Sequence, residues 1–332
     1  MKPSLRVAVA GASGIGKHHA KWYHDCGCEV VAFLGSGDAS CRTTAADLVQ
    51  SIGFSGRGYS DFGQLLEQEE PDVVDVCTPN ELHFELAMAA LMAGCHVLVE
   101  KPMVWDGPAD SVRSLDLANR LVDEATERAL CLGVCTQYAA SLPLYERIYT
   151  RETGSYTREI GSQQQVTEFI AEMETLSRGR QRDGAEIWID MGSHPLSLLL
   201  AWMPDGVIDP DSLQVEFAGH QARSRFDFFA GDRRFHCDIT VRDKSEGVPI
   251  RRFGVNGVLV ECEGRPDSDG VYQSVLQRKG SEVMGQDFMS LLISQFAAAV
   301  RGDEPGPIVT GATGVRNLEL QFQIYSAALA RS

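Results

Sequence analysis

Residues 5–25 read LRVAVAGASGIGKHHAKWYHD. Leu5–Ala10 is a short apolar run with two valines, which predicts a strand. The glycines Gly11, Gly14 and Gly16 follow at once, and the residues after them can form a helix. The pattern therefore predicts a strand, a tight glycine-rich turn and a helix in direct succession.

The same alternation continues along the first part of the chain. Further short apolar runs are separated by segments with helical spacing: CEVVAFL (28–34), DVVDVCT (72–78), HVLVE (96–100) and LCLGVC (130–135). Strands that alternate with helices form parallel sheets with right-handed crossovers. We therefore predict an N-terminal Rossmann domain, a doubly wound parallel sheet, over residues 1–140.

Beyond Tyr145 the rhythm changes from alternation to consecutive strands. Strand-like runs at hairpin spacing extend over residues 162–278, with one predicted helix near Asp190 to Met203 and two amphipathic helices at the end. Consecutive strands joined by turns indicate antiparallel pairing. The expected fold class is thus α/β followed by α+β, and the second domain (141–332) is built on a large, mainly antiparallel open sheet.

The composition is that of a globular protein, and it limits the partners. Of 332 residues, 44% are hydrophobic and 23% are charged, and the formal net charge is -16. This charge repels phosphate backbones and anionic lipid headgroups, so neither nucleic acid nor a membrane is an expected partner. We find no cleavable leader, no run of about 18 apolar residues and no CxxC pair among the nine cysteines. A cytoplasmic protein without a bound metal is expected.

The glycine-rich turn is a candidate dinucleotide site. Backbone N–H groups at a helix N-terminus bind phosphate where no Cβ atom blocks the approach. The candidate cofactor-binding residues of this turn are Gly11, Ser13, Gly14, Ile15 and Gly16. The motif departs from G-x-G-x-x-G because Ser13 replaces the second glycine. A tight turn without a ligand is the alternative interpretation of these glycines.

The end of the second predicted strand bears on the choice between NAD and NADP. An acid at this position binds the ribose 2′-OH of NAD and repels the 2′-phosphate of NADP. Here the strand ends at Leu34 and continues as Gly-Ser-Gly, with no acid before Asp38. Ser36, with Arg42 or Thr43 nearby, is the candidate ligand for that phosphate, so NADP is slightly favoured over NAD. NAD stays an alternative, because Asp38 could turn back toward the ribose 2′-OH.

Three further motifs, together with the turn, resemble one family of oxidoreductases. They are CTPNELH (77–83), HVLVEKP (96–102) and IDMGSH (189–194). With the glycine turn they are similar to the Gfo/Idh/MocA family, typified by glucose-fructose oxidoreductase and inositol dehydrogenase. The resemblance implies a Rossmann domain, an open-sheet domain that packs against another subunit, and oxidation or reduction of sugars, polyols and related carbonyl compounds.

The resemblance also implies cofactor contacts in the first domain. Glu100 and Lys101 would lie beside the nicotinamide, with a cis peptide before Pro102. The residues that would line the rest of the cofactor cleft are Thr78, Pro79, Asn80 and His83. Such a cleft lies at the carboxyl ends of the strands, where ligands bind in doubly wound sheets.

Lys101, Asp190 and His194 form the predicted catalytic set. Oxidation of an alcohol needs a base for the hydroxyl proton and a positive group for the developing alkoxide. A histidine side chain can accept and return a proton near neutral pH, so His194 is the predicted base, whereas Lys101 stabilises the alkoxide. Asp190 lies four residues before His194, on the same helix face, where it orients the imidazole or binds the substrate hydroxyl. A helix cap is the alternative role of Asp190.

The substrate-binding residues are harder to assign, because the chain departs from the family pattern. Residues 133–138 read GVCTQY where the family often has an Asn and an Arg, so an Arg that could clamp an anion is missing. Ser197 stands where an Asp often follows the catalytic His. The predicted substrate-binding residues are Lys101, Gln137, Asp190 and His194, with Tyr138 and the polar loop 178–186 as further candidates.

Together these features predict an NAD(P)-dependent oxidoreductase that transfers hydride between its cofactor and a sugar, polyol or related compound. The alternative is a non-catalytic sensor that keeps the dinucleotide fold to regulate a partner protein. A homodimer or homotetramer is expected because a broad sheet leaves one face to cover. The candidates for that face are Phe226, Phe228, Phe235 and His236.

Overall fold

The chain folds into two compact units. The computed structural model describes residues 4–107, 111–154, 166–177, 179–268 and 270–330. The first unit comprises residues 1–135 and 289–315, and the second comprises residues 136–288 and 316–332. This division differs from the predicted one at 140/141, because the late segment 289–315 packs with the first unit. Among the described residues, no helix has the length and apolarity needed to cross a membrane.

The described part of the first unit contains a six-stranded sheet. Its strands are β1 (Arg6–Ala10), β2 (Glu29–Leu34), β3 (Arg57–Tyr59), β4 (Val73–Val76), β5 (His96–Glu100) and β6 (Leu132–Cys135). Their order is β3-β2-β1-β4-β5-β6, and every neighbouring pair is parallel. The intervening helices are α1 (Gly16–Asp25), α2 (Asp38–Ile52), α3 (Phe62–Glu69), α4 (His83–Met92) and α5 (Ser111–Glu127). This is the predicted doubly wound Rossmann sheet.

The core of the first unit explains both its strands and its late segment. Val7 and Val9 in β1 are fully buried, as expected for a central parallel strand with both faces covered. The late segment adds Leu292, Ile293 and Phe296 to the same hydrophobic cluster. Burial of such side chains stabilises a fold by roughly 1.5–3 kcal/mol each. This gain explains why an apolar segment late in the sequence packs into a core made by residues near the start of the sequence.

The second unit is built on a larger sheet. Its strands are β7 (Val166–Leu176), β8 (Val207–Ile208), β9 (Gln214–Ala218), β10 (Gln221–Ala230), β11 (Arg233–Lys244), β12 (Arg251–Val255), β13 (Val258–Pro266), β14 (Tyr272–Arg278) and β15 (Ser281–Gln286). The order is β15-β14-β13-β12-β7-β11-β10-β8, with β9 paired to β10. Among these described strands, β7 and β11 pair in parallel and the other pairs are antiparallel. The predicted mainly antiparallel sheet is confirmed.

The remaining described helices are α6 (Leu142–Thr153), α7 (Gly184–Met191), α8 (Ser193–Trp202), α9 (Phe288–Val300) and α10 (Gly311–Leu329). The single helix expected near Asp190 to Met203 is therefore two helices, α7 and α8. Pro195 accounts for the break, because its ring nitrogen cannot donate the hydrogen bond that would continue the helix to Met191. Gly192 joins the two helices in a helical backbone conformation (φ -62°, ψ -29°).

The sheet face proposed for oligomer contact was assigned wrongly. Phe226, Phe228 and Phe235 are buried within the unit, and the Trp202 ring of α8 packs 6.2 Å from the Phe235 ring. His236 lies on the opposite face, since successive strand residues alternate in direction. That opposite face carries ion pairs: His236–Asp227, Arg223–Asp238 and Arg252–Glu172. The aromatic side chains thus belong to the unit's own core.

Candidate active site

The glycine-rich turn has the geometry of a phosphate-binding loop. Gly11 has a φ of +87°, and a Cβ atom there would lie 2.9 Å from the backbone carbonyl of Cys77. A Cβ atom on Gly16 would lie 2.2 Å from the Gly11 oxygen. Gly14 has a φ of +59° with open space around it, and it is exposed beside the first turn of α1. The helix N-terminus is therefore accessible to an anion.

The turn after β2 brings both determinants of cofactor choice close together in sequence and structure. Ser36 is exposed, Gly37 precedes α2, and no side chain caps this helix. Asp38 is the first residue of α2, and Arg42 is exposed one turn later. The helix N-terminus again favours a negative group. The fold thus keeps Ser36 and Arg42 available for a 2′-phosphate and Asp38 available for a 2′-hydroxyl.

His83 braces the two loops that follow β4 and β5. Its ring is fully buried at the start of α4. Its Nδ1 atom lies 2.8 Å from the carbonyl oxygen of Pro102, and its Nε2 atom lies 2.9 Å from that of Thr78. The Lys101–Pro102 peptide is cis, as the resemblance implied. The His83 side chain therefore links the predicted cofactor loop around Asn80 to the loop that carries Lys101.

A buried charged cluster lies under these loops, and sequence analysis missed it. His19 in α1 is fully buried, with its Nδ1 atom 2.9 Å from an Asp75 oxygen and its Nε2 atom 3.3 Å from a Glu100 oxygen. The second Glu100 oxygen accepts a hydrogen bond of 3.1 Å from the Lys101 backbone N–H. The imidazole therefore links the helix of the glycine turn to the backbone of Lys101.

The protonation of His19 follows from its two carboxylate neighbours. Burial alone lowers the pKa of His19, but Asp75 and Glu100 outweigh it and raise the value to about 10. A protonated ring has no lone pair for a metal, although His19, Asp75 and Cys77 have donor atoms within 4.8 Å of one another. We therefore describe the cluster as an ion-pair network. The only sequence signal was a histidine three residues after Gly16.

Asp190 is held by an arginine of the preceding loop. Arg182 places one guanidinium nitrogen 2.5 Å from an Asp190 oxygen and another 3.0 Å from an oxygen of the buried Asp243. No side chain caps α8, so the alternative role of Asp190 as its cap is not what the structure has. In the predicted polar loop, Asp183 caps α7 instead, and residue 178 lies outside the described residues.

His194 lies in the first turn of α8, one helical turn beyond Asp190. It is 8% exposed, and the Tyr138 ring meets it edge-on with the ring centroids 5.2 Å apart. Gly192 permits this arrangement, because a Cβ atom there would lie 2.7 Å from the Trp188 carbonyl oxygen. The imidazole is thus oriented by an aromatic neighbour that the sequence indicated only as a further candidate.

Gln137 and Tyr138, the predicted substrate contacts after β6, line a cavity of about 360 Å³ in the second unit. Gln137 is half-buried and Tyr138 is buried. Arg251 of β12 also lines this cavity. Sequence analysis did not identify Arg251, because nothing in a strand sequence indicates that one of its residues faces a residue more than a hundred positions away.

The first unit defines the class: a Rossmann protein with a dinucleotide-type glycine turn. A family model described as an oxidoreductase family with an NAD-binding Rossmann fold, Gfo/Idh/MocA, matches residues 5–135. D-glucoside 3-dehydrogenase of Escherichia coli strain K12 is 35% identical over 118 residues, which cover 35% of this chain and 32% of that protein. The match to the first curated relatives spans about a third of their length (32% in both of the first two).

Solved structures match the fold over both units. UDP-N-acetylglucosamine 3-dehydrogenase from Acidithiobacillus ferrooxidans has a TM-score of 0.72 at 20% identity, with 99% of each chain covered. An inositol dehydrogenase homologue from Azotobacter vinelandii, complexed with NADH and myo-inositol, has a TM-score of 0.69 at 18% identity, with 99% of this chain and 97% of that chain covered. Residues 5–135 are thus similar to the NAD-binding Rossmann part of the Gfo/Idh/MocA oxidoreductases, and the solved structures show a similar fold over the rest of the chain.

Proposed function

We propose that the protein is an NAD(P)-dependent dehydrogenase or reductase that acts on a CH–OH group of a sugar or polyol-like compound. The observation that carries the proposal is Lys101, which follows β5 in the same unit as the glycine turn. Its neighbours Glu100 and Pro102 contact the buried His19 and His83. The names of the similar proteins, a glucoside dehydrogenase and an inositol dehydrogenase homologue, support the substrate class.

The residues fit a nicotinamide cofactor. The exposed N-terminus of α1 beside Gly14 would hold the pyrophosphate, and Thr78 and Asn80 would border the cleft. When bound, the nicotinamide supplies the chemistry of accepting or donating a hydride. Ser36 and Arg42 favour the 2′-phosphate of NADP, and we propose NADP over NAD on that ground.

The chain's own residues would manage the proton and the charge. His194 accepts the proton of the reacting hydroxyl, because an imidazole can take up and return a proton near neutral pH. The Lys101 ammonium stabilises the negative charge that develops on the substrate oxygen. Asp190, one turn before His194 and held by Arg182, either orients the imidazole or binds the substrate hydroxyl. In reduction the same groups act in reverse.

A substrate screen tests the proposal. Sugars, sugar acids and polyols are offered with NAD and with NADP, and the corresponding carbonyl compounds with the reduced cofactors, while absorbance of the reduced nicotinamide is followed. Turnover of at least one compound is the expected result. Cofactor binding without turnover of any compound would contradict the enzyme and favour the non-catalytic sensor.

A further inference from the structure

We propose that Arg251 is the substrate-binding cation of this protein and that it selects an anionic monosaccharide, a sugar acid or a sugar phosphate. The inference rests on the proposed function and names its substrate class. The sequence after β6 lacks the Arg that could clamp an anion, as residues 133–138 read GVCTQY. The fold supplies an arginine beside that same segment from a distant strand.

The site is the cavity of about 360 Å³ in the second unit. Gln137 and Tyr138 approach it from the segment after β6, and Arg251 approaches it from β12. Tyr272 also lines it, and 55% of that residue is exposed. An exposed aromatic ring beside planar amide and guanidinium groups suits a sugar, because the ring covers its C–H face and the polar groups bind its oxygens. The volume is of the order that small ligands occupy.

Arg251 points toward the helix-covered side of the sheet. Strand residues two apart share a face, so Arg251 lies on the face of Phe253, whose buried ring packs 6.0 Å from the Tyr138 ring. The Nη1 atom of Arg251 is buried, and no described residue gives it a hydrogen-bond partner. An unsatisfied buried donor on a charged group is costly. A carboxylate or phosphate oxygen in the cavity would remove that cost through a charge-assisted, fork-shaped contact.

Tyr138 connects this cation to the predicted base. Arg251 and Tyr138 line the same cavity, and the positive charge of Arg251 acts on the Tyr138 phenol. Burial raises the pKa of Tyr138 above its usual range, and Arg251 opposes this only in part, so the phenol stays protonated. A protonated phenol can donate its hydrogen to a ligand in the cavity. Its ring contacts His194 edge-on at 5.2 Å, which places the anion-binding group one side chain away from the imidazole.

Two acidic residues, Glu263 and Asp287, line the same cavity, and negative charge there opposes the binding of an anion. Glu263 is paired with Arg265 at 3.3 Å, so its charge is partly balanced outside the cavity. Asp287 also lines the cavity, and its negative charge opposes a bound anion. A sugar acid or phosphate must therefore gain more from Arg251 and Tyr138 than it loses to Asp287, and its hydroxyl groups can donate to the acids.

Calorimetric titration of the full-length protein at saturating NADPH tests this site. The probes are D-glucuronate and D-glucose 6-phosphate, each compared with D-glucose. The variants are Arg251→Gln and Arg251→Lys. The matched control is Arg252→Gln, which removes the same charge from the neighbouring position of β12, where Arg252 faces the opposite side and pairs with Glu172 at 2.6 Å.

The expected result is that one of the two anions binds more tightly than glucose, and which one it is distinguishes a carboxylate from a phosphate ligand. Arg251→Gln should weaken that binding by ~10–100-fold, the effect of one hydrogen bond to a charged group. The affinity of Arg251→Lys for the anion should lie between those of Arg251→Gln and the parent. The affinity of Arg252→Gln should stay within ~3-fold of the parent value.

Equal or tighter binding of glucose, or an Arg251→Gln protein that keeps its anion affinity, would overturn the proposal. NADPH binding by each variant is titrated separately and shows whether the protein is folded. These are binding measurements, so a failure of the anion site is distinguishable from a failure of the proposed oxidoreductase activity, which the turnover screen measures.

Discussion

At the scale of single residues, the raised pKa of His19 gives the first unit a testable pH dependence. The value is about 10 in the folded protein, against 6.5 for an unperturbed histidine. A raised pKa contributes stability that is fully present below about pH 6.5 and is lost as the pH rises through about 10. His19→Gln should therefore cost the most near pH 6.5, on the order of 3 kcal/mol, and progressively less as the pH rises toward 10.

Urea unfolding at a series of pH values measures this difference. Tyr23→Phe is the matched control, since Tyr23 is buried one turn further along α1 and its hydroxyl has no hydrogen-bond partner among the described residues. It should change the free energy of unfolding by a small, pH-independent amount. A stability loss in His19→Gln that grows as the pH rises from 6.5 to 10 would contradict the ion-pair network.

Residues that the sequence pointed to lie in short motifs, whereas residues that it did not point to have partners far away in the sequence. Lys101 and His194 belong to short motifs, so the local sequence was enough to predict a role for them. His19 and Asp75 are 56 positions apart, and Arg182 and Asp243 are 61 positions apart. Nothing local in the sequence pairs such residues, because the pairing is created by the sheet order. Their roles became visible only in the folded structure.

At the scale of elements, the β1–α1 turn predicts different effects for two of its glycines. Gly11→Ala places a Cβ atom 2.9 Å from the backbone of Cys77, where nothing flexible can move away. Gly14→Ala meets open space and costs only the left-handed backbone conformation, about 1–2 kcal/mol. Thermal melts should show the larger loss for Gly11→Ala. A larger loss in Gly14→Ala would contradict the described turn.

The turn between β2 and α2 predicts which cofactor Arg42 serves. If Arg42 binds the 2′-phosphate, Arg42→Gln should lower the affinity for NADPH by ~10-fold. The affinity for NADH should stay within ~3-fold of the parent value, since NADH has no 2′-phosphate. Titration of the parent and the variant with both cofactors measures this. Parent protein that binds NADH ~10-fold tighter than NADPH would reverse the proposed preference and assign the role to Asp38.

The limits of sequence interpretation at this scale have physical causes. β3 (Arg57–Tyr59) and β8 (Val207–Ile208) are too short to produce a periodic signal. β15 (Ser281–Gln286) reads SEVMGQ and has little apolar alternation, yet it pairs with β14 as an edge strand. The other strands of the first unit, β1, β2, β4, β5 and β6, coincide with the predicted apolar runs, because a parallel strand covered on both faces is apolar throughout.

At the scale of the whole molecule, a homodimer or homotetramer remains the expectation. The ion-paired sheet face that carries Arg223, Asp238 and His236 is the candidate contact, in place of the aromatic residues that turned out to be buried. The ion pairs of this face, Arg223–Asp238 and His236–Asp227, lie within one chain, so a second copy would have to add further charged contacts, which salt would weaken. Light scattering at micromolar concentration should report an oligomer at low salt. A monomer under those conditions would contradict the expectation.

Lys101 and His194 are proposed to act in the reaction rather than to hold the cofactor, and turnover of single variants distinguishes these two roles. On the first substrate found, Lys101→Ala and His194→Ala should each lower kcat by ~10²–10⁴, with NADPH affinity within ~3-fold of the parent because the glycine turn is intact. Lys21→Ala, an exposed lysine of α1 paired with Asp25, is the control and should match the parent. A folded double variant that binds NADPH and turns over within ~3-fold of the parent would contradict the account.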